Sequence, residues 1–150
     1  LRERGSKFFA FVYGVRSEAD IKERLEGLKR QYPDATHHCY AWVMGARGEA
    51  QRANDDGEPG NSAGRPILRS ILSVGVTNVL VVVVRYFGGT LLGIPGLIAS
   101  YGEAAESALD GYLLKPHNSH SLAERLHSAR HRKKVLKGIF QAIEEDDFDE

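Results

Sequence analysis

NVLVVVVRYFGGTLLGIPG, residues 78–96, decides how this chain is read. Asn78 to Phe87 is apolar without alternation, the pattern of a strand buried on both faces. Beyond it, Gly88, Gly89, Gly93 and Gly96 lead into a helix predicted over Pro95–Leu109 and stopping near Gly111. Leu97, Ile98, Tyr101, Ala105, Ala108 and Leu109 form its inward face. Glycines at a strand-to-helix junction can seat an anion, hold a tight turn, or let two backbones touch. Their spacing, GGxxxGxxG, is neither a P-loop, which needs GK[ST], nor GxGxxG. Arg85 stands at the mouth of the junction. Its planar fork suits phosphate or carboxylate, and equally an internal ion pair with Asp56 or Glu58.

Working outward, Lys7–Tyr13 (KFFAFVY) is aromatic-rich, as strands are. Ser17 opens a helix, with Asp20 three residues on in a loose capping box. Ile21, Leu25 and Leu28 give that helix its apolar face, and Pro33 ends it. His37–Met44 (HHCYAWVM) reads as a strand. Alternation puts His38, Tyr40, Trp42 and Met44 on one face, and His37, Cys39, Ala41 and Val43 on the other. Gly45–Gly64 is polar, and too long for a structureless loop in a compact domain, so it has room for a short strand. Pro66 suits the first turn of a helix ending near Gly75. The order implies a sheet with helices packed on it.

The bulk numbers narrow the function classes. The chain has 150 residues, 42% hydrophobic and 27% charged, which suits one soluble domain with an appendage. Lys+Arg and Asp+Glu are 20 each, which argues against an overall electrostatic grip on nucleic acid or an anionic membrane. Cys39 is the single cysteine, so no disulfide partner is expected and a reducing cytoplasm fits. The apolar run Val79–Val84 is far too short to span a bilayer, and no membrane role is expected. The first residue is Leu1 rather than Met, as in a fragment.

Three further groups carry residue types suited to chemistry. Asn54, Asp55, Asp56 and Glu58 could ligate a hard cation, but they lack the alternating ligands of an EF-hand, and a turn paired with Arg65 or Arg85 is the plainer reading. His37 and Cys39 share a strand face, yet no further ligand completes a zinc site and a lone cysteine between apolar residues reads as packing. No catalytic residue, metal or cofactor is assigned. From Ser119 the tail shows a capping box (SLAE, Ser121–Glu124), an amphipathic stripe, six basic residues between Arg125 and Lys137, and the acidic end EEDDFDE.

Three segments together, ATHHCYAWVMG (35–45), NDDGEPGNSAGRPIL (54–68) and VVVVRYFGGTLLGIPGLIASYGEAAESAL (81–109), resemble the IMPACT/YigZ family. The resemblance covers residues 5–113. This chain departs from the family pattern at Gly60–Arg65, where GNSAGR replaces SGTAGK, and at Ile94-Pro95. The resemblance implies an α+β two-layer sandwich like domain 2 of ribosomal protein S5 and domain IV of elongation factor G, with a mixed sheet and helices packed on one face. Residues 1–114 would be this core domain. Residues 115–150 would be a helical basic segment with an acidic end, unlike the ferredoxin-like second domain of bacterial members. Eukaryotic members are translation regulators. The family positions here include His37, His38, Asp55, Asp56, Gly57, Glu58, Pro59, Ala63, Gly64, Arg85, Tyr86, Gly88, Gly89, Gly93 and Gly96.

The resulting expectation is a non-enzymatic cytoplasmic binding protein linked to translation, with a translation-related protein or ribosome/RNA as partner. Its binding crevice would gather His37, His38, Asp55, Asp56, Gly57, Glu58, Arg65, Arg85, Tyr86, Gly88, Gly89 and Gly93. The glycines would let the 55–58 loop approach the turn closely, with Arg85 neutralising its acids, as a structural lock or as the floor of a crevice. The alternative is a small-molecule or phosphate-binding enzyme using the same turn and loop.

Overall fold

The computed structural model describes residues 1–115. In chain order the elements are β1 (Arg2–Glu3), β2 (Ser6–Gly14), α1 (Glu18–Gln31), β3 (His37–Met44), β4 (Ala50–Asn54), α2 (Gly64–Val74), β5 (Val79–Tyr86) and α3 (Gly93–Leu113). The tail segment read as 115–150 lies, from residue 116, outside the described residues.

The strands form one sheet in the order β1-β2-β5-β3-β4. The last strand inserts between β2 and β3, pairing Phe8 with Arg85 on one side and His37 with Arg85 on the other. That insertion explains the unbroken apolar run, because β5 has neighbours on both edges and helices over both faces. Val79, Val81 and Val83 face α2 and α3 with Ile67, Ile71, Tyr101 and Leu109. Leu80, Val82 and Val84 face the opposite way, with Trp42 and the α1 residues Ile21 and Leu28. The predicted β3 alternation holds, with Cys39, Ala41 and Val43 in the first core and Trp42 in the second.

The α+β class is as the sequence predicts. Two details differ. The sheet is antiparallel throughout rather than mixed, because a non-alternating strand reports burial on both faces and carries no strand direction. The helices are not all on one face, since α1 covers the side opposite α2 and α3. The long polar stretch does contain a strand, β4, hairpinned to β3.

Local signals set the helix ends. Ser17 caps α1 by accepting from the Asp20 N–H at 3.2 Å, while the Asp20 carboxylate accepts from the Arg16 N–H at 2.8 Å. α2 has no cap from its own N-cap residue, Ala63. Its cap comes from the 55–64 loop. Among the described residues, no helix is long and apolar enough to cross a membrane.

Candidate functional site

The 55–64 loop folds onto the ends of β3, β5 and α2, and each of its acids has a separate task. Asp55 takes the first helical amides. Its Oδ1 accepts from the N–H of Ala63 at 3.1 Å and Gly64 at 2.8 Å, and its Oδ2 from Asn61 at 2.9 Å. This is N-capping supplied from outside the helix, with a carboxylate at the positive end of the α2 dipole. Asp56 accepts the His38 backbone N–H at 2.6 Å, tying the loop to the start of β3. Glu58 is buried and receives the Arg85 guanidinium, with Nη1 to Oε2 at 2.6 Å.

Arg85 is itself 4% exposed. Its Nη2 donates to Ser6 Oγ at 3.1 Å, and the same oxygen accepts the Gly88 N–H at 3.1 Å. The guanidinium lies 5.5 Å from the Phe8 ring centroid and 5.6 Å from that of Phe87. Its Nε has no hydrogen-bond partner among the described residues. The Tyr101 hydroxyl, from α3, donates to Glu58 Oε2 at 2.5 Å. One carboxylate therefore joins strand, loop and helix. A buried pair of this kind costs desolvation on forming and is strongly destabilising when half of it is removed.

His37 completes the floor. Its Nδ1 is 2.7 Å from the Asp56 carbonyl oxygen, which can only accept, so this nitrogen carries hydrogen. Its Nε2 is 3.4 Å from Glu58 Oε1. Beneath, the Cys39 thiol donates to the Asp55 carbonyl at 3.1 Å and lies 3.4 Å from the Tyr101 hydroxyl. Burial pushes the Cys39 thiol far above its ordinary range, and burial chiefly does the same to Tyr101. Burial of this kind disfavours the thiolate and the phenolate.

Above this floor opens a cavity of about 440 Å³. Thr36, His37, Glu58 and Arg85 form its polar base, while Pro59, Phe87, Leu91, Leu92, Ile94 and Leu97 make its walls. The segment 87–92 is pinned at one end, where the Phe87 N–H donates to Thr36 Oγ1 at 2.9 Å.

The expected crevice residues separate accordingly. His37, Glu58, Arg85 and Gly93 line the cavity. Asp55 and Asp56 build the loop beside it, and Gly57 forms the turn between them and Glu58. Arg85 neutralises only Glu58, so the loop acids are divided among three tasks instead of sharing one cation. His38 turns to the α1 side, with Nε2 3.0 Å from the Tyr32 carbonyl oxygen. Tyr86 also points there, its hydroxyl donating to Asp34 at 2.9 Å. Arg65 is exposed on the first turn of α2, away from the cavity lining.

The glycine turn approaches a different backbone from the expected one. A Cβ on Gly88 would lie 2.1 Å from the Gly5 carbonyl carbon, so the turn abuts the β1–β2 hairpin and not the acidic loop. The loop has its own close approach at Gly64, where a Cβ would meet the Asn54 nitrogen at 2.5 Å. Gly89 has open space around it. Ser6, Tyr101 and Thr36 belong to the site without being among the expected crevice residues. Ser6 carried a usable signal, standing directly before the aromatic strand inside the segment of family resemblance. Tyr101 read as core, and its hydroxyl task depends on a residue 43 positions away.

The sequence matches the Impact N-terminal domain over residues 4–109. The IMPACT family member YigZ of Escherichia coli (strain K12) is 41% identical over 106 residues, covering 69% of this chain and 52% of that relative. A crystal structure described only as that of a hypothetical protein superposes with a TM-score of 0.70 at 38% identity, covering 73% of this chain and 54% of the other. A second solved structure, of the two-domain translational regulator Yih1, is 35% identical over 71% of this chain and 43% of its own, with a TM-score of 0.47. The chain spans about half the length of the curated relatives it matches.

Proposed function

This chain belongs to the Impact N-terminal domain family, and from that premise we propose that it is a non-enzymatic binding protein that regulates translation by contacting a protein of the translation machinery. One relative, Yih1, is described as a two-domain translational regulator. The observation that carries the binding reading is the division of labour in the crevice. Its acids and its arginine are engaged with one another and with backbone, while its mouth is apolar and open. Groups tied up in this way support shape, and an open apolar mouth supports association.

The phosphate-handling alternative finds less support. The Gly88 N–H is donated to Ser6, and the Arg85 charge is already paired with Glu58, which leaves the turn less suited to seat an anion.

The test is titration of the purified full chain into a cell-free translation system. The expected result is a dose-dependent change in the rate of protein synthesis, lost in the double variant Leu91→Asp with Ile94→Asp. An unchanged rate at every dose overturns the link to translation. Turnover of a metabolite by the pure protein overturns the non-enzymatic part.

A further inference from the structure

We infer that the α1 side of the sheet, where β2 and the end of β5 meet the end of α1, binds single-stranded nucleic acid by stacking bases on aromatic rings. This surface faces away from the acidic loop, and the inference does not rest on the reading of the crevice.

The apolar stripe of α1 covers only the centre of that face. Ile21 and Leu28 bury against Trp42, Leu80, Val82 and Val84, whereas Phe9, Phe11, Tyr13, Tyr32 and Tyr86 stay partly exposed. Phe9, Phe11 and Tyr13 are alternate residues of β2, so their side chains repeat at about 6.7 Å along one side of the strand. Beside them opens a hollow of about 390 Å³, lined by Gly5, Lys7, Phe9, Tyr32, Tyr86 and Phe87. Phe9 and Tyr32 are parallel within 9° with centroids 6.3 Å apart, and Tyr86 stands edge-on to Phe9. Parallel rings in full contact sit about 3.5 Å apart, so these two leave ring face uncovered. A hollow walled by rings offers flat surfaces that any base can stack on. Sheets that bind single strands present rings to two or three bases in this way.

The charge on this side has the sign that a phosphate backbone needs. Arg2 is opposite Lys7 in the β1–β2 register and shares the ring side with it, while Glu3, opposite Ser6, lies on the other side. No acid stands on the ring side of β1, β2 or β5. Lys7 is exposed at the hollow itself and makes no ion pair among the described residues. Arg24 of α1 lies over the Tyr13 ring, 4.7 Å from its centroid. Two acids stand against these cations. Asp34 accepts the Tyr86 hydroxyl at 2.9 Å, and Asp20 accepts the Arg16 N–H at 2.8 Å. The other α1 acids lie elsewhere, Glu18 and Glu26 at the hollow over Tyr40 and Trp42, and Glu23 opposite the apolar stripe. Rings alone would also suit a quaternary ammonium, but Lys7 beside them repels a cation. An acidic peptide would meet the same cations and make no use of the ring faces. The cations are few, so binding should be modest and sensitive to salt.

The experiment titrates the full chain into a fluorescein-labelled twelve-nucleotide single-stranded RNA, read by anisotropy over a salt series. The expected Kd lies between about 1 and 100 μM near physiological salt, the range of sequence-independent binding. Tyr86→Leu keeps an apolar side chain and removes a ring, and should raise Kd about fivefold or more, as for one lost base stack. Lys7→Ala should raise Kd and make the salt slope shallower by about 0.7, as for one lost phosphate contact. The same RNA annealed to its complement should bind more weakly, because its bases are already stacked in the duplex. With 4-thiouridine in the single strand, cross-linked peptides should contain Phe9, Tyr32 or Tyr86. No binding at about 100 μM chain overturns the inference. So does duplex binding as tight as that of the single strand, or displacement of the RNA by poly-glutamate at matched charge, which would mark a site for acidic peptide. Cross-links confined to residues 116–150, which hold the basic run of the tail, overturn it as well. An unchanged Kd in Tyr86→Leu with the circular dichroism of wild type, or in Lys7→Ala, has the same consequence. If Tyr86→Leu does not fold, Lys7→Ala and the cross-link map decide.

Discussion

The 55–64 loop and the 87–94 segment face each other across one crevice and distribute polarity in opposite senses. The loop is acidic in sequence, and its acids are tied inward to amides and a guanidinium. The facing segment is apolar in sequence, and it turns Phe87, Leu91 and Ile94 outward. A globular surface ordinarily does the reverse. The difference teaches that charge here maintains shape, while the apolar side is available for contact. Mutations on the two walls should then fail in different ways.

Arg85→Ala should have the largest effect, because it strands the buried Glu58 carboxylate. The expected loss is about 3–5 kcal/mol of stability, read by urea denaturation. The comparison sharpens with Arg85→Met/Glu58→Leu, which removes both charges and should recover part of that loss. If Arg85→Ala unfolds at the wild-type midpoint, the loop's charge is not structural.

Asp55→Ala comes next. It uncovers the first amides of α2 and should cost about 2 kcal/mol, the upper range for a lost cap. Amide exchange should speed most in the first turn of α2. Uniform exchange across the chain would break the assignment.

Alkali tests the burial beneath the floor. In the folded chain Cys39 and Tyr101 hold their protons well above their ordinary values of 9.0 and 10.0. The unfolded chain releases the Cys39 proton from about pH 9 upward, so the folded state binds more protons and stability must fall as pH rises. The slope should approach about 1.4 kcal/mol per pH unit for each group that ionises only on unfolding. Cys39→Ala should remove the part that begins at pH 9, and a slope unaltered in this variant would show the thiol to be accessible.

The smallest effect on stability belongs to the apolar wall. Leu91→Asp/Ile94→Asp should stay within about 0.5 kcal/mol of wild type, as for ordinary surface changes, while changing association. A larger loss would mean that these side chains are packed in the free protein, and the contrast between the walls would collapse.

Much of the framework was legible in the residues. Unbroken apolar character marked β5 as central. Alternation marked the two faces of β3, and Ser17 with Asp20 marked the start of α1. The acidic loop and glycine turn were legible as a pair, through three motifs in order. What each glycine touches was not. Gly88 meets Gly5, 83 positions earlier in the chain, and nothing in RYFGG says which backbone will lie against it. The separation of His37 from His38 was readable as alternation, yet both were placed in one crevice, because adjacent residues in a motif look alike until a sheet gives the strand two sides.

The sequence by itself determined the doubly buried strand β5, the two faces of β3 and the start of α1, and its three ordered motifs gave the family and with it the α+β class. The strand and helix signals follow from local periodicity and capping, which act over a few positions. Only the tertiary structure decided strand direction, the face taken by α1, the separate tasks of the loop acids, and the exposure of Phe87, Leu91 and Ile94. Each depends on which distant segments meet. Glu58 can bind Arg85 or remain a solvated turn acid, and Leu91 can be core or rim, according to where β5 inserts and what the loop leaves uncovered.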